Sequence, residues 1–192
     1  MDMRNCRFKG GILPKFPAEL AHINTLWLCS CDLNYVDMEA FSDLTSLTHL
    51  NLSRNNLTKV HGLSSQRTLT HLYLNENNLS KVPDEISALD LVHLDLSSNR
   101  IQSWPLKMGP WLVKRERKMR FDHNPLNKPP REVWDQGHKA VADYLQQLEN
   151  GTMPVTCQLR ISMLGCVKAG KSSISRALSG IWHLEANFLY MV

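Results

Sequence analysis

The chain has 192 residues, with 22 basic against 18 acidic side chains and a formal net charge of +4. That length holds one domain, or a domain and a fragment of a second; so mild a charge excludes a dedicated nucleic-acid binder, which would show a concentrated basic face. No apolar run approaches the roughly 18 residues of a membrane span, residues 1–11 lack the apolar run of a signal peptide, and five cysteines without a C-x-x-C pair point to a reduced, cytoplasmic chain.

The first elements are repeats. Met3, Cys6, Phe8, Gly11 and Leu13 fit the pattern L-x-x-L-x-L-x-x-N-x-L loosely, and Phe16-Pro17 after them matches Val82-Pro83 in a better copy. No polar cap precedes this first repeat, so the chain is read as starting part-way into a longer array. The second copy runs from Ile23 through Leu26, Leu28 and Cys31 to Leu33, with a small thiol at the Asn position. Three near-perfect copies follow. They are Leu47, Leu50, Leu52, Asn55, Leu57; Leu69, Leu72, Leu74, Asn77, Leu79; and Leu91, Leu94, Leu96, Asn99, Ile101, stepping by 22 residues from 47 to 69 to 91. A weaker sixth has Glu116, Met119, Phe121, Asn124 and Leu126.

This is the leucine-rich repeat signature. The fourth and sixth positions alternate with polar ones, which predicts one half-buried strand per repeat. Stacked repeats then give an α/β solenoid with a parallel sheet of about six repeats over residues 1–126. Each Asn falls where the chain leaves its strand, and its amide can both donate to and accept from backbone groups of neighbouring repeats. Val60, Leu63, Val82, Ile86 and Leu89 are expected to close the core from behind. No repeat buries its apolar face alone, so stability must come from stacking.

The strand positions that face solvent predict a concave surface. The fifth position gives Trp27, Asn51, Tyr73, Asp95 and Arg120; the third gives Thr25, His49, His71, His93 and Lys118. Exposed aromatics beside mixed charge suit protein recognition, so Trp27, Asn51, Tyr73, Asp95, His49, His71 and His93 are the candidate partner-binding residues. The three histidines share one column, about 5 Å apart by strand spacing. They are read as solvent-facing residues inherited with the repeat, with a metal site or a pH sensor as alternatives. The basic run Val113–Arg120 is read as a solvated face of the last repeat, with an acidic partner, an anionic membrane or nucleic acid as alternatives.

Lys128-Pro-Pro130 ends the array. Arg131–Glu149 places Val133, Trp134, Val141, Tyr144, Leu145 and Leu148 at helical spacing. Gly137 weakens that helix by roughly 1 kcal/mol relative to Ala. Residues 127–152 are therefore expected to cap the open end of the solenoid and link onward. Cys157–Leu164 reads as a buried strand and runs into Gly165, Cys166, Val167, Lys168, Ala169, Gly170, Lys171, Ser172 and Ser173. This is G-x-x-x-x-G-K-S followed by a helical stretch, the strand–loop–helix context that a phosphate-binding loop requires. Its backbone N–H groups would cradle phosphate, Lys171 would reach the β- and γ-phosphates, and Ser172 would bind Mg²⁺.

The order of these parts resembles the Roco proteins. The resemblance is specific at the junction Asn124-Pro-Leu126-Asn-Lys-Pro129-Pro-Arg-Glu132-Val133, then Gly137 and Tyr144-Leu145. It implies that residues 153–192 are the start of a Roc domain, a Ras-like GTPase, with GTP and Mg²⁺ as ligands, and that the parent carries a COR dimerisation domain and, in some members, a kinase. The chain departs from that pattern after Gly180, where no D-x-x-G or N-K-x-D follows. It is therefore expected to be a truncated Roc fragment that does not hydrolyse GTP, acting chiefly as an interaction module, with a nucleotide switch coupled to the repeats as the alternative.

Overall fold

The structure, a computed structural model, describes residues 1–113 and 117–151, within one compact unit spanning Met1–Pro154. Its frame is a five-stranded parallel sheet of one short strand per repeat: β1 (Thr25–Trp27), β3 (His49–Asn51), β5 (His71–Tyr73), β6 (His93–Asp95) and β7 (Lys118–Arg120), in that spatial order. Away from it β2 (Val36–Asp37) and β4 (Val60–His61) pair in parallel, and 3₁₀ turns lie in the return segments, joined by a short helix before β7. The register is one repeat per step: Leu26, Leu50, Leu72, Leu94 and Met119 stand opposite one another. The repeat solenoid expected from the leucine spacing is therefore present.

The core is the leucine pattern made solid. Leu50, Leu52, Leu57, Leu72, Leu74, Leu79, Leu94 and Leu96 are fully buried, and Val60, Leu63, Val82, Ile86 and Leu89 close it from the far side. Each such side chain contributes about 1.5–3 kcal/mol when taken from water. The backbone between them is held by the asparagines. Asn77 Oδ1 accepts the Leu57 N–H at 3.0 Å, while its Nδ2 donates to the Leu52 and Leu74 carbonyls at 3.0 and 3.1 Å. Asn99 repeats this with Leu79, Leu74 and Leu96, and Asn124 with Ile101, Leu96 and Phe121. Asn55 accepts from both Cys31 and Leu33. Cys31 can only partly imitate an amide: its Sγ–H lies 3.1 Å from the Met3 carbonyl, and a thiol has no second strong polar group to accept with.

That bond also corrects the first repeat. In every later repeat the side chain at the Asn position reaches the sixth-position carbonyl of the preceding repeat, so Met3 occupies the sixth position. The left-handed residue before each Asn gives the same answer. Asn5 has φ 60°, matching Ser30, Arg54, Glu76, Ser98 and His123, and its N–H donates to the Cys29 carbonyl as Ser30 does to Ser53. The first repeat therefore runs Met1, Met3, Cys6 and Phe8 in the fourth, sixth, ninth and eleventh positions. It sits five residues from the register that apolar spacing alone suggests, because Cys6 rather than Gly11 takes the turn.

The expected single helix over Arg131–Glu149 is instead two: α2 (Arg131–Trp134) and α3 (His138–Glu149), with α1 (Gly109–Leu112) before them. Gly137 breaks it with φ 97° and ψ 171°, a conformation that favours glycine. The break turns α3 so that Val141 and Leu145 join Val133 of α2 in the repeat core. Gly109 makes room for this: a Cβ there would lie 3.2 Å from the Ala142 carbonyl oxygen.

Removing one rung of the asparagine ladder should cost more than any surface change. Asn77→Ala leaves the Leu57 N–H and two leucine carbonyls buried without that partner, so urea denaturation should show a loss of about 2–4 kcal/mol. Asn56→Ala, at an exposed position one residue beyond the ladder, should change stability by less than about 0.5 kcal/mol.

Candidate functional site

The sheet's outer surface carries two columns of side chains, because three-residue strands present alternate residues to one face. The third-position column contains the histidines. His49 and His71 stack with ring centroids 4.0 Å apart and planes 12° apart; His71 and His93 follow at 6.0 Å and 14°. The Tyr73 ring leans on His93 at 4.9 Å. All three imidazoles are half-buried.

Threonines set the ring orientation. Thr48 Oγ1 lies 2.9 Å from His49 Nδ1 and 3.1 Å from the Asn24 carbonyl. That carbonyl already accepts the Thr48 and His49 N–H groups, each at 2.9 Å. The Thr48 hydroxyl donates to that carbonyl, and its oxygen faces Nδ1, where the direction of the contact follows the ring's tautomer. In the imidazolium form both nitrogens carry protons and Nδ1–H donates to Oγ1. Thr70 repeats the device at His71, 2.9 Å from Nδ1 and 3.2 Å from a Thr48 carbonyl that is likewise doubly engaged. When protonated, each ring donates Nδ1–H to its threonine and leaves Nε2–H on the opposite edge.

The second column differs from its sequence reading. Trp27 is 40% exposed and Tyr73 is half-buried, as a recognition surface requires. Asp95, expected to face solvent, is only 6% exposed. Its Oδ1 accepts the Ser97 N–H at 3.0 Å and the Ser97 hydroxyl at 2.6 Å, and Arg120 lies 3.8 Å from Oδ2. Asn51 does the same for Ser53, at 2.9 and 2.6 Å. Both side chains fold back because a serine two residues on has an unpaired N–H and a hydroxyl within reach. Their carbonyl and carboxylate oxygens are therefore engaged within the repeat. The pattern that could have revealed this, N/D-x-S, is visible at Asn51-Ser53 and Asp95-Ser97.

The basic run also departs from a uniformly solvated face. The Arg117 side chain is only 8% exposed, stands 4.7 Å over the Trp111 ring, and donates to Asp90 at 2.7 Å. Lys118 and Arg120 remain exposed at the end of the two columns.

The parallel ring planes bear on the metal alternative. Nitrogen lone pairs in stacked rings run side by side, whereas a tetrahedral ion needs them to converge. Among the described residues no group of three or more His, Cys, Asp or Glu could hold a metal ion. The phosphate-loop residues Gly165, Cys166, Val167, Lys168, Ala169, Gly170, Lys171, Ser172 and Ser173 lie outside the described residues. No helix among the described residues is long and apolar enough to cross a membrane.

The histidines give the face a pH dependence. Burial first, then the neighbouring His49 and His93, lowers the affinity of His71 for a proton. Burial likewise lowers that of His93, with Lys118 and Arg120 adding to the effect and Asp95 opposing it. Between the folded and unfolded pKa values the unfolded chain binds more protons, so stability rises with pH there. The contribution is complete above the ordinary imidazole value of about 6.5 and is lost as pH falls through it. The urea midpoint should drop between about pH 7.5 and about pH 5, and drop less in the double variant His71→Gln/His93→Gln. Equal drops in both chains would contradict this.

Comparison with known proteins agrees with the geometry over part of the chain. A family model described as "Leucine rich repeat" matches residues 21–79. No curated protein matches. Among solved structures the chain is similar to one titled "Crystal structure of TLR13-ssRNA13 complex", at 20% identity and a TM-score of 0.45, over 59% of this chain and 20% of that one. Residues 21–79 match the leucine-rich repeat, and the parallel one-strand-per-repeat sheet that contains and extends them has the arrangement of a leucine-rich repeat solenoid.

Proposed function

We propose that this chain is a protein-interaction module, docking a partner on the concave face of its repeats, within a cytoplasmic Roco-type GTP-binding signalling protein. The observation that carries the docking reading is the continuous outer surface from exposed Trp27 through Tyr73 to the stacked histidines. Aromatic side chains there supply large contact area with little entropy to lose. The backbone beneath is already paired, so a partner meets side chains rather than open hydrogen-bonding groups. Support for the Roco context is the junction Asn124–Gly137 leading into the cap, with G-x-x-x-x-G-K-S beyond it.

A photoreactive side chain placed at Trp27 or Asn51 should cross-link a cellular protein, while one at exposed Lys59 on the opposite side should not. Trp27→Ala and Tyr73→Ala should each lower capture of that protein about tenfold or more. Equal cross-linking from both faces would refute concave docking.

The glycine-rich loop favours a second reading, a nucleotide switch. Here Gly165–Ser173 would hold GTP phosphates, with Lys171 on the β- and γ-phosphates and Ser172 on Mg²⁺. Fluorescent GTP and ATP analogues with Mg²⁺, titrated into the full chain, separate the two readings. Saturable micromolar GTP binding that vanishes in Lys171→Ala supports the switch; equal weak signals in both chains support an interaction module alone.

A further inference from the structure

We propose that the partner docks as an acidic, extended segment whose carboxylates lie along the imidazole column His49–His71–His93, and that docking draws protons onto that column. This rests on the reading of the concave face as a docking surface. Three observations point to an acidic segment. First, once protonated, His49 and His71 donate Nδ1–H to their threonines and leave Nε2–H for the oxygens of a carboxylate. Second, the two columns hold two carboxylates and neither is open to a basic partner: Asp2, bridged beside Trp27, is held by Arg4 at 2.7 Å, and Asp95 is buried and turned toward Ser97. Third, the columns end in exposed Lys118 and Arg120, and the contacts of Arg120 to Asp95 and Asp122, at 3.8 and 3.9 Å, are longer than hydrogen bonds.

The groups facing the column can be named strand by strand. β1 supplies Thr25 and Trp27, with the Asp2–Arg4 pair beside it, β3 His49 and Asn51, β5 His71 and Tyr73, β6 His93 and Asp95, and β7 Lys118 and Arg120. On the adjoining turn, Arg54 and Glu76 neutralise each other at 3.1 Å. The stacked histidines are therefore the part of this surface whose charge changes near neutral pH. Rings 4.0 Å apart resist sharing two positive charges unless a counter-charge lies alongside. A partner carboxylate supplies that counter-charge. It stays ionised well below the imidazole range, so the complex takes up protons and tightens as pH falls from about 7.5 to about 5.5.

The test uses the full chain and a fluorescein-labelled peptide of about ten residues alternating glutamate and threonine, beside its lysine–threonine counterpart. Fluorescence anisotropy should show saturable binding of the glutamate peptide, about fivefold or more tighter at about pH 5.5 than at about pH 7.5. The lysine peptide should not bind. His49→Gln/His71→Gln/His93→Gln should abolish the tightening while leaving circular dichroism unchanged. Should that variant fail to fold, calorimetry of the unmodified chain in two buffers of different ionisation enthalpy must show proton uptake on binding. No glutamate-peptide binding, pH-independent binding, or preference for the lysine peptide overturns the inference. Cross-linking through position 27 that survives such a result would leave concave docking standing, and its loss as well would remove both.

Discussion

The solenoid depends on the side-chain amide that closes each repeat onto the one before it. Strands of three residues make few ladder hydrogen bonds, and the turns that follow leave carbonyls and N–H groups inside the core. A leucine cannot satisfy them, and an unpaired buried backbone group costs about 1–3 kcal/mol. The asparagine at the ninth position accepts from the preceding repeat and donates to carbonyls of both, so it joins two repeats with a few atoms. It also accompanies the left-handed residue just before it, since φ values of 54–60° recur at that position through the array. Those conformations are unfavourable for side chains other than glycine, and they persist because the next repeat's carbonyl captures each N–H. Leucine burial provides most of the driving force, and the amide ladder selects the register in which it is realised.

The outer face follows from that register. Once Leu50, Leu72 and Leu94 are aligned across the sheet, the residues before them must align too, and His49, His71 and His93 have no choice but to stack. The stacking is uneven, at 4.0 and 6.0 Å, because the third ring meets Tyr73 and lacks the threonine that orients the other two; Val92 stands there instead. The array is thus periodic in backbone and aperiodic in chemistry, from Trp27 at one end to Lys118 and Arg120 at the other.

The end of the array shows how local signals yield to packing. Arg117 stands where a solvated charge was expected, yet its guanidinium lies over Trp111 and is held by Asp90. The aromatic face and the carboxylate together offset the cost of removing the charge from water. Nearby Trp104, Phe121 and Trp134 pack as an aromatic cluster at 4.5–5.8 Å, which seals the last repeat against α2. Gly137 turns what would be one helix into a corner, so that α3 lies across the array instead of extending from it.

The repeat count, the strand positions, the core leucines and the role of the asparagines were legible in the chain itself, because a 22-residue period leaves one inside-outside solution. The two surface columns were legible for the same reason. The register of the first repeat was not, since Met3, Cys6 and Phe8 satisfy an apolar pattern in two frames, which the Cys31–Met3 contact and the left-handed Asn5 distinguish. The inward turn of Asp95, the burial of Arg117 and the ring orientations of His49 and His71 were decided by tertiary structure. Each depends on a neighbour's N–H, ring face or hydroxyl rather than on its own identity. Periodicity sets where a side chain begins; what it touches is set by groups that only folding brings within 3 or 4 Å.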